Sequence, residues 1–460
     1  MNKLLLSVVL GLSATLVAQA ELVKLLQPAQ NETVALLTES QKAYLALPAD
    51  VRHDRFADHK FRDKIGLPAE VADGQTRKAY WPKTVELKWS GNADRTYNVK
   101  VFVKGTNRVA FNGPVKGDRV RIDNLEIART YEWCVENGGQ VAKGLFKTED
   151  QAPRLLRFPA IPNVRDFGGR VGLDGRRVKQ GLVFRTAGLN ENASDDYYTI
   201  DELRQMGRIE EIEKGLQKDK ARLAQLEAWR ADIKTFDRQD PEYVDWCTRH
   251  PDEPPAAFLK SRIARAKDAV KSGSGLKIKK GRKTGKTRFT DTQRDEIQAQ
   301  FHIKSDIDLR SDGECYGMTG SPFGPSVTWF HISSHGYGDM QKDGGRAAFA
   351  KVFKVFLDEK NYPIDFHCIA GQDRTGSVAY ILNALLGVSD EELALDREVT
   401  GFWNHATDFN HRDRYDWLVK GFQKKFPAKT TTESVEQYIL SLGFTAQDIA
   451  WFREFMLERK

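Results

Sequence analysis

The pattern of apolar and polar positions divides the chain into an all-β segment and a longer mixed segment. From about residue 82 to 148, apolar residues alternate with polar ones, as in Tyr97–Val103, and turn-forming residues separate the runs. Alternation with a period of two is typical of strands that bury one face. We therefore expect an N-terminal domain at residues 21–150 with a small all-β sandwich as its core, followed by a second domain at residues 151–460.

A strand, a polar loop and a helix are predicted in succession within the second domain. Residues 362–366 form a short apolar run that predicts a buried strand. Ser377–Leu386 gives an apolar helical pattern that stops at Gly387, a residue type that commonly ends helices. The loop between them therefore lies where its amides and the positive end of the helix face whatever binds in the loop.

Residues from about 205 to 285 form a charged insertion in this pattern. Apolar residues recur at helical spacing from Ile209 to Arg230 and again from Pro255 to Val270, which predicts a helical hairpin. A basic strip follows at residues 271–288, where eight cations occur without an acid. The strip either recruits an anionic partner or is a solvated surface, and we favour the second interpretation.

Composition limits the chemistry that is available to the chain. Its 460 residues, 40% of them hydrophobic, suffice for two or three domains. The formal net charge of +7 favours phosphorylated or otherwise acidic partners, and we expect no nucleic acid partner. Four cysteines do not make a disulfide framework and lack metal-ligand spacing, so we expect no metal and no cofactor. Whether Cys247 or Cys315 forms a disulfide stays open at this point.

The first residues predict a secretory signal peptide over residues 1–20. Lys3 supplies the positive charge, Leu4–Val17 is the apolar stretch, and Ala18-Gln19-Ala20 is a cleavage site. The apolar stretch is short for a membrane span, and no other apolar run reaches 18 residues. We therefore expect cleavage near Ala20, a secreted or periplasmic protein, and no membrane span in the mature chain.

The most informative motif is HCIAGQDRTG, at His367–Gly376. Five residues separate Cys368 from Arg374, so one turn of backbone can wrap a tetrahedral dianion, with the thiol below the phosphorus and the guanidinium closing the ring. Cations and a helix N-terminus lower a thiol pKa from about 8.5 to roughly 3.5–7.5. Cys368 is therefore expected to be a thiolate that attacks phosphorus and forms a phosphocysteine intermediate.

Other residues of the motif have expected roles around that reaction. Asp373 places a carboxyl inside the loop, where it can protonate a leaving oxygen. His367 is expected to orient the loop, and Thr375 is expected to hydrogen-bond the sulfur when it leaves. The segment that is expected to bind phosphate consists of Ile369, Ala370, Gly371, Gln372, Asp373 and Arg374.

This loop resembles that of the cysteine-based protein tyrosine phosphatases, in particular a bacterial group with the motif HCxxGKDRTG. The resemblance covers about residues 155–205 and 287–460, and the order of motifs is that of the family. Gln372 departs from the pattern, because the group usually has a lysine there, and a cation near the phosphate is lost. The other segments that resemble the group's motifs are Asn163–Gly169, Gly181–Leu189 and Ile307–Glu314.

The resemblance implies an α/β fold, with a cysteine-phosphatase-like central sheet flanked by helices after the small sandwich. It implies that Cys368 is the nucleophile and that Arg374 clamps the phosphate. Asp373 is the first candidate for the general acid, since the sequence has no Trp-Pro-Asp loop. Asp166 is the second candidate, with a structural role as the alternative. Asp339 is the third, in a polar loop that is a possible substrate loop.

By the same resemblance, the chain is expected to be a phosphatase that acts on phosphotyrosine in proteins. A phosphoinositide or inositol polyphosphate phosphatase is the alternative, because lipid phosphatases also have phosphate loops with an internal aspartate. A catalytically dead protein that binds phosphorylated ligands is a further alternative. The presence of both Cys368 and Arg374 disfavours it.

The alternating segment resembles a known module as well. Leu87-Lys88-Trp89-Ser90 and the spacing of Leu125, Tyr131, Trp133 and Val135 resemble pieces of a fibronectin type III sandwich. A module of this kind is expected to position the enzyme and not to carry out chemistry.

Overall fold

The computed structural model describes residues 23–49, 51–52, 81–249, 253–271, 278–402 and 409–459. The predicted signal peptide lies outside the described residues. The chain divides into two compact units: residues 192–285 with 313–318 make one, and the rest of the chain makes the other. Both helices and several sheets are present, so the expected mixed α/β class is confirmed.

Within the described residues, strands predominate before residue 150 and helices predominate after it. The strands are β1 (Leu25–Gln27), β2 (Glu32–Val34), β3 (Val85–Trp89), β4 (Thr96–Val103), β5 (Val109–Lys116), β6 (Arg119–Ile122), β7 (Thr130–Asn137), β8 (Gln140–Thr148), β9 (Arg165–Asp166), β10 (Val183–Thr186), β11 (Ser194–Tyr197), β12 (Lys279–Lys283), β13 (Ser305–Asp308), β14 (Thr328–His331) and β15 (Ile364–His367). The helices are α1 (Glu39–Leu45), α2 (Ile200–Gln205), α3 (Ile209–Ala231), α4 (Pro241–Arg249), α5 (Pro255–Lys271), α6 (Asp291–Phe301), α7 (Asp343–Phe356), α8 (Arg374–Leu385), α9 (Asp390–Glu398), α10 (Phe409–Lys425), α11 (Thr431–Ser441) and α12 (Ala446–Met456).

Strands β1–β8 form two sheets that share one apolar core. One sheet has the order β1-β3-β6, and the other has the order β2-β8-β7-β4-β5. Trp89 from the first sheet and Val101, Trp133 and Phe146 from the second are at most 1% exposed in this core. Burial alternates along β4 as its sequence does. The likeness to fibronectin type III and the domain boundary near residue 150 stay predictions.

A five-stranded sheet with the order β14-β13-β15-β10-β9 carries the loop motif. Its first four strands are parallel, and β9 is antiparallel to β10. Helices α7, α8, α11 and α12 contribute to the core that contains Ile307 and Phe366, whereas α6 shares a core with Phe184 from the other face. Parallel strands end at one edge of the sheet, so Thr186, Asp308 and His367 lie in register there.

The smaller unit has a core of its own. Helices α3 and α5 pack side by side, where the sequence predicted a helical hairpin. Trp229 of α3, Phe236 before α4, Tyr243 of α4 and Phe258 of α5 belong to one buried apolar cluster. Strands β11 and β12 form an antiparallel ribbon in the same unit.

Several cations of the basic strip at residues 271–288 are paired with acids of this same unit. Three ion pairs each join a lysine of β12 to an acid of β11 or α2, and such local pairing supports the interpretation of the strip as a solvated surface. Binding of an anionic partner there stays a prediction. The pairs are Lys279–Asp195 at 2.9 Å, Lys280–Glu202 at 2.8 Å and Lys283–Asp196 at 3.3 Å.

Two further findings concern the cysteines and the membrane. Cys134, Cys247, Cys315 and Cys368 are all reduced, so the structure shows no disulfide at Cys247 or Cys315. Among the helices in the described part of the chain, none is both long enough and apolar enough to cross a bilayer.

Candidate active site

The HCIAGQDRTG motif forms a loop between strand β15 and helix α8, as the sequence predicted. The strand ends at His367 and the helix begins at Arg374, so the positive end of the helix dipole faces the loop. Cys368 opens the loop and is only 2% exposed. Gly371 has φ +65°, and a Cβ there would lie 2.3 Å from the carbonyl oxygen of Thr186. The tight turn therefore requires glycine at this position.

Three successive carbonyl groups of the loop are held from outside it. The oxygen of Ile369 accepts from the Gly188 N–H at 2.9 Å. The oxygens of Ala370 and Gly371 accept from the side chains of Asn163 at 2.8 Å and Arg185 at 2.7 Å. In a trans peptide the following N–H points away from the carbonyl oxygen. The N–H groups of residues 370–372 are therefore directed away from these supports, and an oxyanion would bind on the side of the loop opposite the supports.

Three buried arginines converge on one carboxylate behind the loop. Asp396 of α9 lies 3.1 Å from Arg165 and 3.2 Å from Arg170, and it also contacts Arg185. Burial raises the pKa of Asp396, but the three guanidinium charges outweigh burial and lower it, so the carboxylate stays ionised. For Arg185, a cation, burial has the opposite effect and lowers the pKa to about 9. Because Arg185 also holds the carbonyl of Gly371, Asp396 supports the loop from behind.

The sequence motifs indicated no role for Asn163, Arg185 or Asp396. Asn163 and Arg185 lie inside segments that resemble the family's motifs. An arginine within a strand that was expected to be buried was the feature of the sequence that could have indicated the role of Arg185. Asp396 lies on a helix that follows the loop. The only signal for it was the need for a counterion, since buried guanidinium groups require a nearby carboxylate.

The environment of Cys368 favours the thiolate. Burial raises the pKa of its thiol, but the positive charge of Arg374 and hydrogen bonding by Thr375 outweigh burial, and the net shift is downwards. Thr375 is fully buried on the first turn of α8. Arg374 is half-buried, and its Nη1 lies 3.5 Å from the carbonyl oxygen of Leu309, which follows β13. The structure thus brings the predicted nucleophile, clamp and supporting hydroxyl together.

His367 links the loop to a row of carboxylates. Its Nε2 lies 3.1 Å from Asp306, and its Nδ1 lies 3.2 Å from the carbonyl oxygen of Cys368. Burial lowers the pKa of His367, but the negative charges of Asp308 and Asp306 outweigh burial and raise this pKa to about 9. A protonated imidazole can donate from both nitrogens. His367 can therefore donate to the carbonyl of Cys368 while its positive charge attracts the neighbouring carboxylates, as expected of a residue that orients the loop.

Asp306, Asp365 and His367 form the one group in the described part of the chain whose possible metal-ligand atoms converge, within 4.8 Å. Metal ligands must be deprotonated. Burial raises the pKa of Asp365 well above its usual range, and that of His367 is raised too. The Thr186 hydroxyl donates to Asp365 at 3.1 Å. In this arrangement Asp365 and His367 therefore both favour their protonated forms.

The three candidate acids occupy different surroundings. Asp373 is half-buried at the end of the loop and accepts a hydrogen bond from the Tyr337 hydroxyl. Asp339 is exposed and pairs with Lys342 at 2.6 Å. Of the three, Asp373 is the one that the motif itself places inside the loop.

Asp166 is fully buried, and its oxygens are engaged by the protein. It accepts from Arg154 at 2.6 Å and from the N–H groups of Gly168 and Gly181, both at 2.7 Å. Burial raises the pKa of Asp166, against the opposing charge of Arg154. Three hydrogen bonds that tie β9 to its neighbours favour the structural role that the sequence analysis left open.

Comparison with known families identifies the chain at this point. The tyrosine phosphatase family model matches residues 156–209 and 269–458, which is more than half of the chain. The chain belongs to the tyrosine phosphatase family. The resemblance stated from the motifs is thereby confirmed. Residues 210–268, which contain most of α3 and α5, lie between the two segments matched by this family of phosphatases.

Individual proteins are more distant. A crystal structure of TpbA from P. aeruginosa, a cysteine-to-serine variant in complex with phosphotyrosine, matches with a TM-score of 0.23 and 16% sequence identity. The match covers 35% of this chain and 86% of that chain. Comparison with curated protein sequences gave no match.

Proposed function

We propose that this member of the tyrosine phosphatase family hydrolyses phosphate monoesters through a phosphocysteine intermediate, with phosphotyrosine in proteins as its substrate. One observation carries the proposal. Cys368, whose pKa is lowered, lies at the base of a loop whose N–H groups are directed away from its outer supports, beside Arg374. That combination supplies a nucleophile and a preorganised site for the negative charge of a phosphoryl group.

The first step transfers the phosphoryl group to sulfur. The thiolate of Cys368 attacks phosphorus opposite the ester oxygen, so a P–S bond forms while the P–O bond breaks. Asp373 gives its proton to the leaving oxygen. The N–H groups of the loop and Arg374 stabilise the charge on the three other oxygens.

The second step releases phosphate. The Asp373 carboxylate takes a proton from water, whose oxygen attacks phosphorus as the P–S bond breaks. Thr375 hydrogen-bonds the sulfur as it leaves as a thiolate. Asp373 is again protonated at the end, so the cycle consumes one water and no other reagent.

Phosphotyrosine is preferred to a highly phosphorylated substrate because of Gln372. This residue stands where the group with the motif HCxxGKDRTG usually has lysine, and it is 1% exposed. A site without that cation offers less attraction for the additional phosphates of a phosphoinositide or an inositol polyphosphate. We further propose that the protein acts outside the cytoplasm, on the strength of the signal-like pattern at residues 1–20.

Substitution Cys368→Ser tests the proposal directly. The purified protein is expected to hydrolyse an aryl phosphate in the presence of a chelator, and Cys368→Ser is expected to lower kcat by about 10⁴-fold or more, because an alcohol is a far weaker nucleophile than a thiolate. A phosphotyrosine peptide should be the best of a panel with phosphoserine peptide, phosphoinositide and phytate. Full activity of Cys368→Ser would overturn the mechanism, and preference for phosphoinositide or phytate would overturn the substrate. Binding of a phosphotyrosine peptide without any turnover would point to a dead phosphatase.

A further inference from the structure

Tyr337 makes a direct contact with the proposed general acid. It opens a short 3-10 helix at Tyr337–Gln341, after strand β14, and is 7% exposed. Its hydroxyl donates a hydrogen bond to Oδ1 of Asp373. The HCIAGQDRTG motif does not contain Tyr337, which lies two residues before Asp339 in the chain.

The backbone of Tyr337 is fixed against the phosphate loop. Its N–H donates to the Ser377 hydroxyl at 2.7 Å, and that hydroxyl donates to the carbonyl oxygen of Asp373 at 2.8 Å. A Cβ at Gly336 would lie 3.4 Å from the backbone of Asp373 and Arg374. Tyr337 itself has φ +55°, in the left-handed region that bulky residues rarely adopt. Such a conformation persists only where the surroundings determine it, and here they bring the phenol to Asp373.

A charged residue of α9 also interacts with the phenol. Arg397 of α9, which is 7% exposed, hydrogen-bonds the Tyr337 side chain. A guanidinium has no acceptor, so it donates to the phenolic oxygen and leaves the O–H free to donate to Asp373. Burial raises the pKa of Tyr337, so the phenol keeps its proton at neutral pH and stays a donor. A hydroxyl that accepts a hydrogen bond from a cation becomes a stronger donor in its own hydrogen bond.

We propose that Tyr337 is a positioning residue for proton transfer by Asp373. It holds Oδ1 of the carboxyl group and so directs Oδ2 towards the leaving oxygen. When the Oδ2–H bond breaks and the proton moves to that oxygen, the negative charge that develops on the carboxylate is stabilised by the Tyr337 O–H. The inference rests on the proposed function, in which Asp373 is the general acid.

The charged and titratable groups around Asp373 come from several elements. The thiolate of Cys368 lies on the same loop and interacts with its charge. Arg374 follows it in the chain, Tyr337 of the 3-10 helix donates to it, and Arg397 of α9 interacts with Tyr337. Of these groups, Tyr337 is the one whose hydrogen bond can be removed by deleting a single oxygen atom.

Substitution Tyr337→Phe removes that oxygen and keeps the ring. With a poor leaving group, such as phenyl phosphate, kcat should fall about tenfold, whereas with 4-nitrophenyl phosphate it should change little, because a good leaving group needs less proton donation.

Tyr362→Phe is the matched control. Tyr362 is 4% exposed, and its hydroxyl donates at 2.7 Å to the backbone oxygen of Phe356, away from the loop. The same chemical change there should leave the dependence of kcat on the leaving group unchanged. If Tyr337→Phe behaves like Tyr362→Phe while Cys368-dependent hydrolysis persists, the inference is wrong and the proposed function stands.

A double substitution keeps the test decisive if Tyr337→Phe also perturbs the fold. A residue that acts only through Asp373 should cause no further loss of kcat when Asp373 is already asparagine. Equal losses from Tyr337→Phe in the two backgrounds would overturn the inference. So would an Asp373→Asn variant that turns over phenyl phosphate normally. If the wild-type protein hydrolysed none of these aryl phosphates, the proposed function itself would be wrong.

Discussion

The sheet β2-β8-β7-β4-β5 and the sheet β14-β13-β15-β10-β9 bury their residues in opposite ways. In β4 the buried side chains alternate with exposed ones, and the buried ones are apolar. In β10, β13 and β15 every residue is buried. The buried set there includes Asp306, Asp308, Asp365, His367 and Arg185, each at most 1% exposed.

This difference separates structural from functional burial. A one-faced sheet is stabilised by apolar area alone, and its polar residues stay in water. Burying a charge costs several kcal/mol unless it is paired. The second sheet bears such charges because they hold the phosphate loop, as Arg185 and His367 do. Charged residues inside strands that are otherwise apolar therefore indicate the site.

Asp396→Asn gives the largest expected effect, because it removes the carboxylate that three buried arginines share. Leaving buried charges without their partner costs about 3–5 kcal/mol. The free energy of unfolding should fall by that amount in denaturant titration, and hydrolysis should fall with it, since Arg185 would no longer be held behind Gly371. A loss below about 1 kcal/mol would contradict the role of Asp396, because exposed pairs alone reach that value.

Leu87→Ala is the control from the other sheet system. Leu87 is fully buried in the core shared by β1–β8, and truncating a buried leucine costs about 2–5 kcal/mol. This variant should lose stability on a scale similar to Asp396→Asn but keep the kcat of the wild-type protein at temperatures where it is folded. Loss of kcat in both variants would remove the distinction between the two sheets.

A pH effect from His367 should be the next largest. Its folded pKa is raised from 6.5 to about 9. The stability that it contributes is therefore complete below pH 6.5 and is lost as the pH rises to 9. The pKa of Cys368 is lowered, and this thiol would add stability over part of the same range. The measurement therefore uses a Cys368→Ser background.

In that background the free energy of unfolding should fall by about 1–3 kcal/mol between pH 6.5 and 9. Adding His367→Asn should remove most of this slope. If the free energy of unfolding falls equally steeply with pH in the variants with and without His367, groups other than this imidazole cause the pH dependence.

The sequence predicted the parts of the molecule that follow local rules. Alternation located β3, β4 and β7, and the motif placed the loop between a strand and α8. The sequence did not indicate Asp396 or Tyr337, because their roles arise from contacts between segments that are distant along the chain. Asp396 meets Arg165 and Arg185 only once α9 packs behind the loop, and Tyr337 meets Asp373 only once the segment after β14 folds against it. Spacing in sequence carries no information about such contacts.

The smallest effect is expected where a charge stays in water. Arg121 of β6 pairs across the strands with Glu86 of β3 at 3.2 Å, and its side chain is 74% exposed. Exposed ion pairs of this kind contribute about 0.2–1 kcal/mol, and salt screens them. Arg121→Ala should therefore lower the free energy of unfolding by about 0.5 kcal/mol or less, with the difference vanishing in about 1 M salt. An effect that approached that of Asp396→Asn would show that the β1–β8 region also depends on charge pairs. The rule that buried charges mark the site would then fail within this molecule.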